Sequence, residues 1–337
     1  MTGILLIQLG TPDAPTAAAL KPYLRQFLSD PRVIENQGWK WKLVLNALIL
    51  RKRPAESAAK YARIWDPKTG SPLFHYTARQ TDLLKARFPD NPVRFGMMVG
   101  NPSVGKVVRE MIAGGVDRLV ALPMFPQYSA TTTASATDAL FSALMKERRV
   151  PAVRVVPPYY EHPAYLDAVE AVIRDDLAKL SWEPEHFVVS FHGLPEDYVR
   201  KGDPYPTHAE RTTAELVRRM GWPRERWTQT FQSRFGRKEW LKPYTDDVLT
   251  DLAKTGGGSG EPVGGSPAKK GVKRVYVALP GFTADCLETI DEIGNESREV
   301  FEKAGGEHLK NGTCLNDHPK WIDAMAAILH EEGQGWL

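Results

Sequence analysis

Cysteine is nearly absent: Cys286 and Cys314 are the two in 337 residues. Two thiols cannot build a disulfide framework, show no metal-type spacing, and fall short of the four ligands usual for an iron–sulfur cluster. Long apolar runs are missing as well. The longest, near Leu43 to Leu50, is interrupted by Asn46 and is far shorter than the ~20 residues that cross a bilayer. The start, Met1-Thr2-Gly3-Ile4-Leu5-Leu6-Ile7, lacks the charged region of a signal peptide, so a cytoplasmic location is expected. Net charge is small: 44 Lys and Arg against 41 Asp and Glu leave +3, too little to imply a nucleic-acid partner. What remains, 42% hydrophobic and 25% charged residues, suits an ordinary globular protein with one or two cores.

What is present is alternation. Short apolar runs at 4–9, 93–99, 118–124, 153–157, 186–191, 228–231 and 274–279 read as strands. Amphipathic segments at 104–113, 134–148, 164–180 and 207–220 read as helices between them. That order predicts an α/β fold of parallel strands joined by crossover helices. A duplication also shows. Gly115-Val116-Asp117-Arg118 leads into Val120-Ala121-Leu122-Pro123, and Gly271-Val272-Lys273-Arg274 leads into Val277-Ala278-Leu279-Pro280. Leu9-Gly10-Thr11-Pro12 is more faintly echoed by His192-Gly193-Leu194-Pro195. Two similar domains are therefore expected, 1–150 and 151–310, with a ligand at the carboxyl ends of their strands. The stretch 255–271 is rich in Gly, Ser and Pro and is expected to be a flexible surface loop.

Chemistry gathers at two strand ends. His192 closes an apolar run and precedes glycine; its imidazole can bind a metal or accept a proton near neutral pH, or simply pack there with a backbone bond. Glu288 opens the segment Glu288-Thr289-Ile290-Asp291-Glu292-Ile293-Gly294-Asn295-Glu296, where Glu288, Glu292 and Glu296 share one face of an α-helix. Such a row is either a solvated acidic face or a path for cations or protons. An imidazole and a carboxylate facing one another can hold a divalent metal ion and accept protons. A large flat ligand needs an apolar slot. Phe125-Pro126-Gln127-Tyr128-Ser129, Trp240 and Phe282 offer aromatic faces, unless they serve core packing. The segment 39–53 joins Trp39 and Trp41 to a basic run, Arg51-Lys52-Arg53. It is either a helix packed on its own domain or an exposed lip.

Together with Leu9-Gly10-Thr11-Pro12-Asp13, Gly70-Ser71-Pro72-Leu73, Ser190-Phe191-His192-Gly193-Leu194-Pro195, Lys201-Gly202-Asp203-Pro204-Tyr205-Pro206, Phe231-Gln232-Ser233-Arg234-Phe235-Gly236 and Pro280-Gly281-Phe282-Thr283-Ala284-Asp285-Cys286-Leu287-Glu288-Thr289, these segments resemble the ferrochelatase family in its bacterial form, over nearly the whole chain. The resemblance implies the chelatase fold, two Rossmann-like domains with the active site in the cleft between them, and a segment 311–337 packing back toward the first. It places the family's invariant histidine on His192 and its catalytic glutamate on Glu288, both at the metal. Leu9, Tyr128, Trp240 and Phe282 fall where the family lines its porphyrin cleft, and Glu292 and Glu296 on the helix thought to carry iron or protons. The substrates implied are Fe²⁺ and protoporphyrin IX, with no organic cofactor or iron–sulfur cluster and with peripheral membrane contact allowed. Met98-Val99 stand where the family usually has Arg-Tyr, which puts a contact to the macrocycle or its propionates in doubt. The alternatives are a chelatase for another tetrapyrrole, such as sirohydrochlorin or coproporphyrin, and a non-catalytic tetrapyrrole-binding protein.

Overall fold

A computed structural model describes residues 1–236, 238–255 and 271–337. The loop expected at 255–271 falls almost wholly outside the described residues. Two compact units emerge: Met1–Tyr159 with Ile322–Leu337, and Tyr160–Trp321.

The first unit is built on a parallel sheet of order β2-β1-β3-β4, comprising β1 (Thr2–Thr11), β2 (Val93–Gly100), β3 (Arg118–Pro123) and β4 (Ala152–Val155). Ile4, Leu5, Leu6 and Ile7 are wholly buried, as a central parallel strand covered on both faces requires. The second unit repeats the plan. Its sheet has order β6-β5-β7-β8, from β5 (His186–His192), β6 (Trp227–Gln232), β7 (Arg274–Ala278) and β8 (His308–Asn311), again all parallel. Its core joins Val188, Val275, Val277 and Leu279 to Val248, Leu249 and Leu252 of the helix Thr245–Thr255, with Ile293 and Phe301.

The duplicated strands thus occupy matching places, β3 in one sheet and β7 in the other. The fainter echo holds too, because β1 and β5 are the matching central strands. All seven expected strands form. The eighth, β8, is four residues, His-Leu-Lys-Asn, with Leu309 its one buried apolar side chain; a pattern that short carries no periodicity.

The expected domain limits need correction. β4 pairs with β3 through Arg118↔Ala152 to Ala121↔Val155, so the first unit runs on past residue 150 to Tyr159. The segment 311–337 also divides. Thr313 donates from its backbone N–H to Asp176 at 2.7 Å, and Asn316 donates to Asp285 at 2.6 Å, which ties 311–321 to the second unit. From Ile322 the chain belongs to the first unit. There Arg154 bonds the Gln334 carbonyl at 2.8 Å and lies 4.2 Å from the Trp336 ring centre.

Helical winding also departs from expectation. The segment at 288–297 is a π-helix (Glu288–Ser297), not an α-helix, and Ala130–Ala134 in the first unit is π-helical as well. Asn311 of β8 supplies a reason in the second unit. Its amide donates to the Thr289 carbonyl at 3.3 Å and packs on Gly294, where an added Cβ would lie 3.0 Å from that amide nitrogen. A side chain wedged into the ladder favours the wider i→i+5 turn.

Candidate active site

β5 delivers His192 to the carboxyl end of the second sheet, half-buried, opposite Gln232 of β6. Gly193 follows because nothing larger fits: a Cβ there would lie 2.9 Å from the Gln232 and Ser233 carbonyl oxygens and 3.2 Å from the Trp240 ring. The His192 Nδ1 sits 2.7 Å from the Gly193 carbonyl oxygen. A carbonyl only accepts, so Nδ1 is the donor; in the neutral ring Nε2 then keeps the lone pair, the arrangement a metal-binding or proton-accepting imidazole needs. Burial raises the pKa of the Tyr205 phenol, and the His192 backbone opposes that shift.

The π-helix brings the carboxylates. Gln232 is buried and uses both ends of its amide: Nε2 donates to the Glu288 carbonyl at 2.9 Å, and Oε1 accepts from Ser190 Oγ at 2.9 Å. The strand end holding His192 and the helix start holding Glu288 are therefore cross-tied by one side chain. Asp285, Thr289 and Asn316 brace the preceding turn. Asn316 donates to Asp285 Oδ2, and Thr289 Oγ1 lies 3.0 Å from Asp285 Oδ1 and accepts from the Cys286 N–H at 3.0 Å. Burial pushes the Cys286 thiol up, and the Glu288 carboxylate beside it adds to the shift.

Glu292 lies deeper than a solvated acidic face would place it. Its Oε2 accepts from Ser233 Oγ at 2.5 Å. Burial raises its pKa; the Ser233 hydroxyl and His192 oppose that, while Glu288 and Asp246 reinforce it. Glu292 thus feels both His192 and Glu288. Asp246, at the start of the helix Thr245–Thr255, accepts from Ser297 Oγ at 2.6 Å. Glu296 is half-buried further along the π-helix.

Of the expected porphyrin-contacting residues, Trp240 and Phe282 belong to this unit. Trp240 covers Gly193 and donates from its indole N–H to the Phe235 carbonyl at 3.0 Å. Phe282 is half-buried against the core cluster of the second unit. Leu9 and Tyr128 belong to the first unit and are half-buried, Leu9 near the end of β1 and Tyr128 in the segment between β3 and the π-helix Ala130–Ala134. Met98 and Val99 are buried in β2, with the Met98 carbonyl accepting from the Gln26 amide at 2.9 Å. Sequence spacing does not single out Gln232, Ser233 or Asp246; the run Phe231-Gln232-Ser233-Arg234 is the available signal for the first two. Among the described residues no three His, Cys, Asp or Glu side chains converge as a metal cage.

Two repeated parallel sheets of this order make the protein a chelatase-type α/β protein. The structure of SirB from Bacillus subtilis with Fe3+ is similar over 99% of this chain and 96% of its own, with a TM-score of 0.55. At 13% identity that likeness speaks for the fold alone. Sequence fixes the family. A family model described as Ferrochelatase matches residues 1–259 and 264–333. A ferrochelatase of Mesorhizobium japonicum is 44% identical over 339 residues, 99% of this chain and 92% of that one. One from Bradyrhizobium diazoefficiens is 45% identical, covering 99% and 94%. The chain belongs to the ferrochelatase family. It is a porphyrin metal chelatase, a lyase that inserts Fe²⁺ into protoporphyrin IX to give protohaem.

Proposed function

We propose that His192 and Glu288 carry the insertion step. The observation behind this is the tautomer of His192: with Nδ1–H committed to the Gly193 carbonyl, Nε2 can bind the incoming Fe²⁺ or take a pyrrole proton. Glu288, cross-tied through Gln232, supplies the facing carboxylate as metal donor or proton acceptor. Glu292 and Glu296 continue the acidic row along the π-helix as a path for iron inward or protons outward. The row suits that task because clustered carboxylates are relieved of mutual repulsion by cations and protons alike. Leu9, Tyr128, Trp240 and Phe282 contact the macrocycle. Fe²⁺ is cargo, and the reaction runs without an organic cofactor or an iron–sulfur cluster; two buried cysteines are poor candidates for cluster ligands. Zn²⁺ is accepted in place of Fe²⁺, since it takes the same donors.

The protein works in the cytoplasm with peripheral contact to a membrane surface. Among the described residues no helix is long and apolar enough to cross a membrane. Trp41, Leu45, Ile49 and Leu50 pack into a satellite cluster, whereas Trp39, Leu43 and Leu48 are 72%, 59% and 64% exposed. With Arg51-Lys52-Arg53 close by, that apolar and basic strip suits an anionic interface.

The test is anaerobic insertion of Fe²⁺ into protoporphyrin IX, followed by absorbance, in His192→Ala and Glu288→Ala, with porphyrin affinity measured by fluorescence quenching. Loss of turnover with porphyrin still bound supports the assigned pair. Wild-type turnover in either variant removes that residue from the step.

A further inference from the structure

Among the described residues, two that are not glycine hold a positive φ, Ser233 at 61° and Asn316 at 44°. Asparagine enters the left-handed region readily; for serine the region is strained, and a glycine would occupy it without cost. The Ser233 turn is also crowded, since its carbonyl oxygen lies 2.9 Å from where a Cβ on Gly193 would stand. What the serine adds over glycine is a hydroxyl, and that hydroxyl donates to the Glu292 carboxylate at 2.5 Å. A short bond of an O–H to a carboxylate is among the stronger side-chain contacts, and it fixes the rotamer of a long, flexible acid. Backbone strain kept at such a point signals a task.

We propose that Ser233 is a positioning residue: its left-handed turn aims the hydroxyl at Glu292 and holds that carboxylate toward His192 and Glu288. In this role the serine acts through Glu292. This inference rests on the reading of Glu292 as part of the iron or proton path.

The test uses the full-length enzyme in four forms: Ser233→Gly, Ser233→Ala, Glu292→Gln and the double variant Ser233→Gly/Glu292→Gln. Turnover, porphyrin affinity and melting temperature are measured for each. Ser233→Gly is expected to keep or raise the melting temperature, keep porphyrin affinity, and lower kcat about tenfold, the scale of one charge-assisted hydrogen bond. Ser233→Ala loses the same turnover without the gain in stability. In the double variant the glycine lowers kcat no further than Glu292→Gln alone, because both changes break one contact. A fifth form, Ser233→Asn, tolerates the left-handed turn and brings an amide donor; it recovers part of the rate. Wild-type kcat in Ser233→Gly, or full additivity in the double variant, overturns the proposal. Wild-type kcat in Glu292→Gln removes the path reading and this inference together. Loss in Glu292→Gln without loss in Ser233→Gly removes the inference alone.

Discussion

The two units share a sheet order and differ at its working end. Near its carboxyl end the central strand of the first carries Leu9-Gly10, and that of the second ends on His192, followed by Gly193. Beside them, Gln8↔Met97 and Gly10↔Val99 set Leu9 opposite Met98, while His192 pairs with Gln232. At matching places the first sheet therefore carries Leu9, Met98 and Val99, and the second His192 and Gln232, with Ser233 just past β6. The contrast continues past the third strand of each. β3 leads to a π-helix of Ala and Thr, Ala130–Ala134, and β7 to one carrying Glu288 and Glu292. Backbone geometry is repeated, and the imidazole and carboxylates of the candidate site sit in one copy. Glycine after the strand belongs to the shared scaffold. At Gly10, with φ +112°, a Cβ would fall 1.8 Å from the Val99 carbonyl oxygen, much as Gly193 is hemmed in by the end of β6. The lesson is that a duplicated α/β scaffold fixes where side chains arrive, and which side chains arrive decides where chemistry happens.

Exchanging the paired residues breaks this comparison most sharply. His192→Leu gives the second strand the first strand's residue, and turnover is expected to fall by about 10²–10⁴, the usual scale for a lost acid–base group. Leu9→His in that background restores nothing, because no carboxylate-bearing π-helix faces it in its own unit. Recovery of turnover in the pair would show that the units are interchangeable and end the distinction.

A smaller effect separates the two ends of β5. His186, at the buried start, has its pKa pushed down to about 4 by burial first and by Arg226 and Arg224 second. Its neutral ring lies with Nε2 2.9 Å from Thr228 Oγ1. As pH falls below the ordinary 6.5, the unfolded chain takes up this proton before the folded one does. Stability from this group is therefore whole above pH 6.5 and declines as pH drops toward 4, by about 3 kcal/mol in total. His186→Gln should flatten that decline in denaturant midpoints measured from pH 7.5 to 4.5. An unchanged slope would mean that His186 is not the group responsible.

The smallest change is Gln232→Met, which again installs the first unit's residue. Losing the amide unties the Glu288 carbonyl and leaves the Ser190 hydroxyl with Thr245 alone, so kcat should fall about tenfold with porphyrin affinity kept. Equal kcat in wild type and variant would mean that the cross-tie does not position Glu288.

The fold was largely legible in the sequence because buried parallel strands are continuous apolar runs, as in Ile4 to Ile7 and Phe187 to Val189. β8 escaped because one apolar residue in four gives no pattern. The unit boundary was misplaced at residue 150 because β4 reads alike in either sheet, and only its pairing with β3 decides. His192 and Glu288 were legible as residue types at strand ends. The π winding was not, since Asn311 lies well downstream of the helix it wedges. Spacing alone leaves Glu292 open between a solvated face and a path; the Ser233 contact and the surrounding protein, neither visible in spacing, draw it inward. Gln232 and Ser233 lay inside a run already noted, yet an amide and a hydroxyl have no signature until their partners are in place.

The most direct measurement is a double-mutant cycle on kcat for anaerobic Fe²⁺ insertion, using His192→Ala, Glu288→Ala and the pair. If the two residues serve one step across one cross-tied site, the double variant is about as slow as the slower single variant. Losses that multiply would mean that the two act independently, and would contradict the assignment of His192 and Glu288 as a working pair.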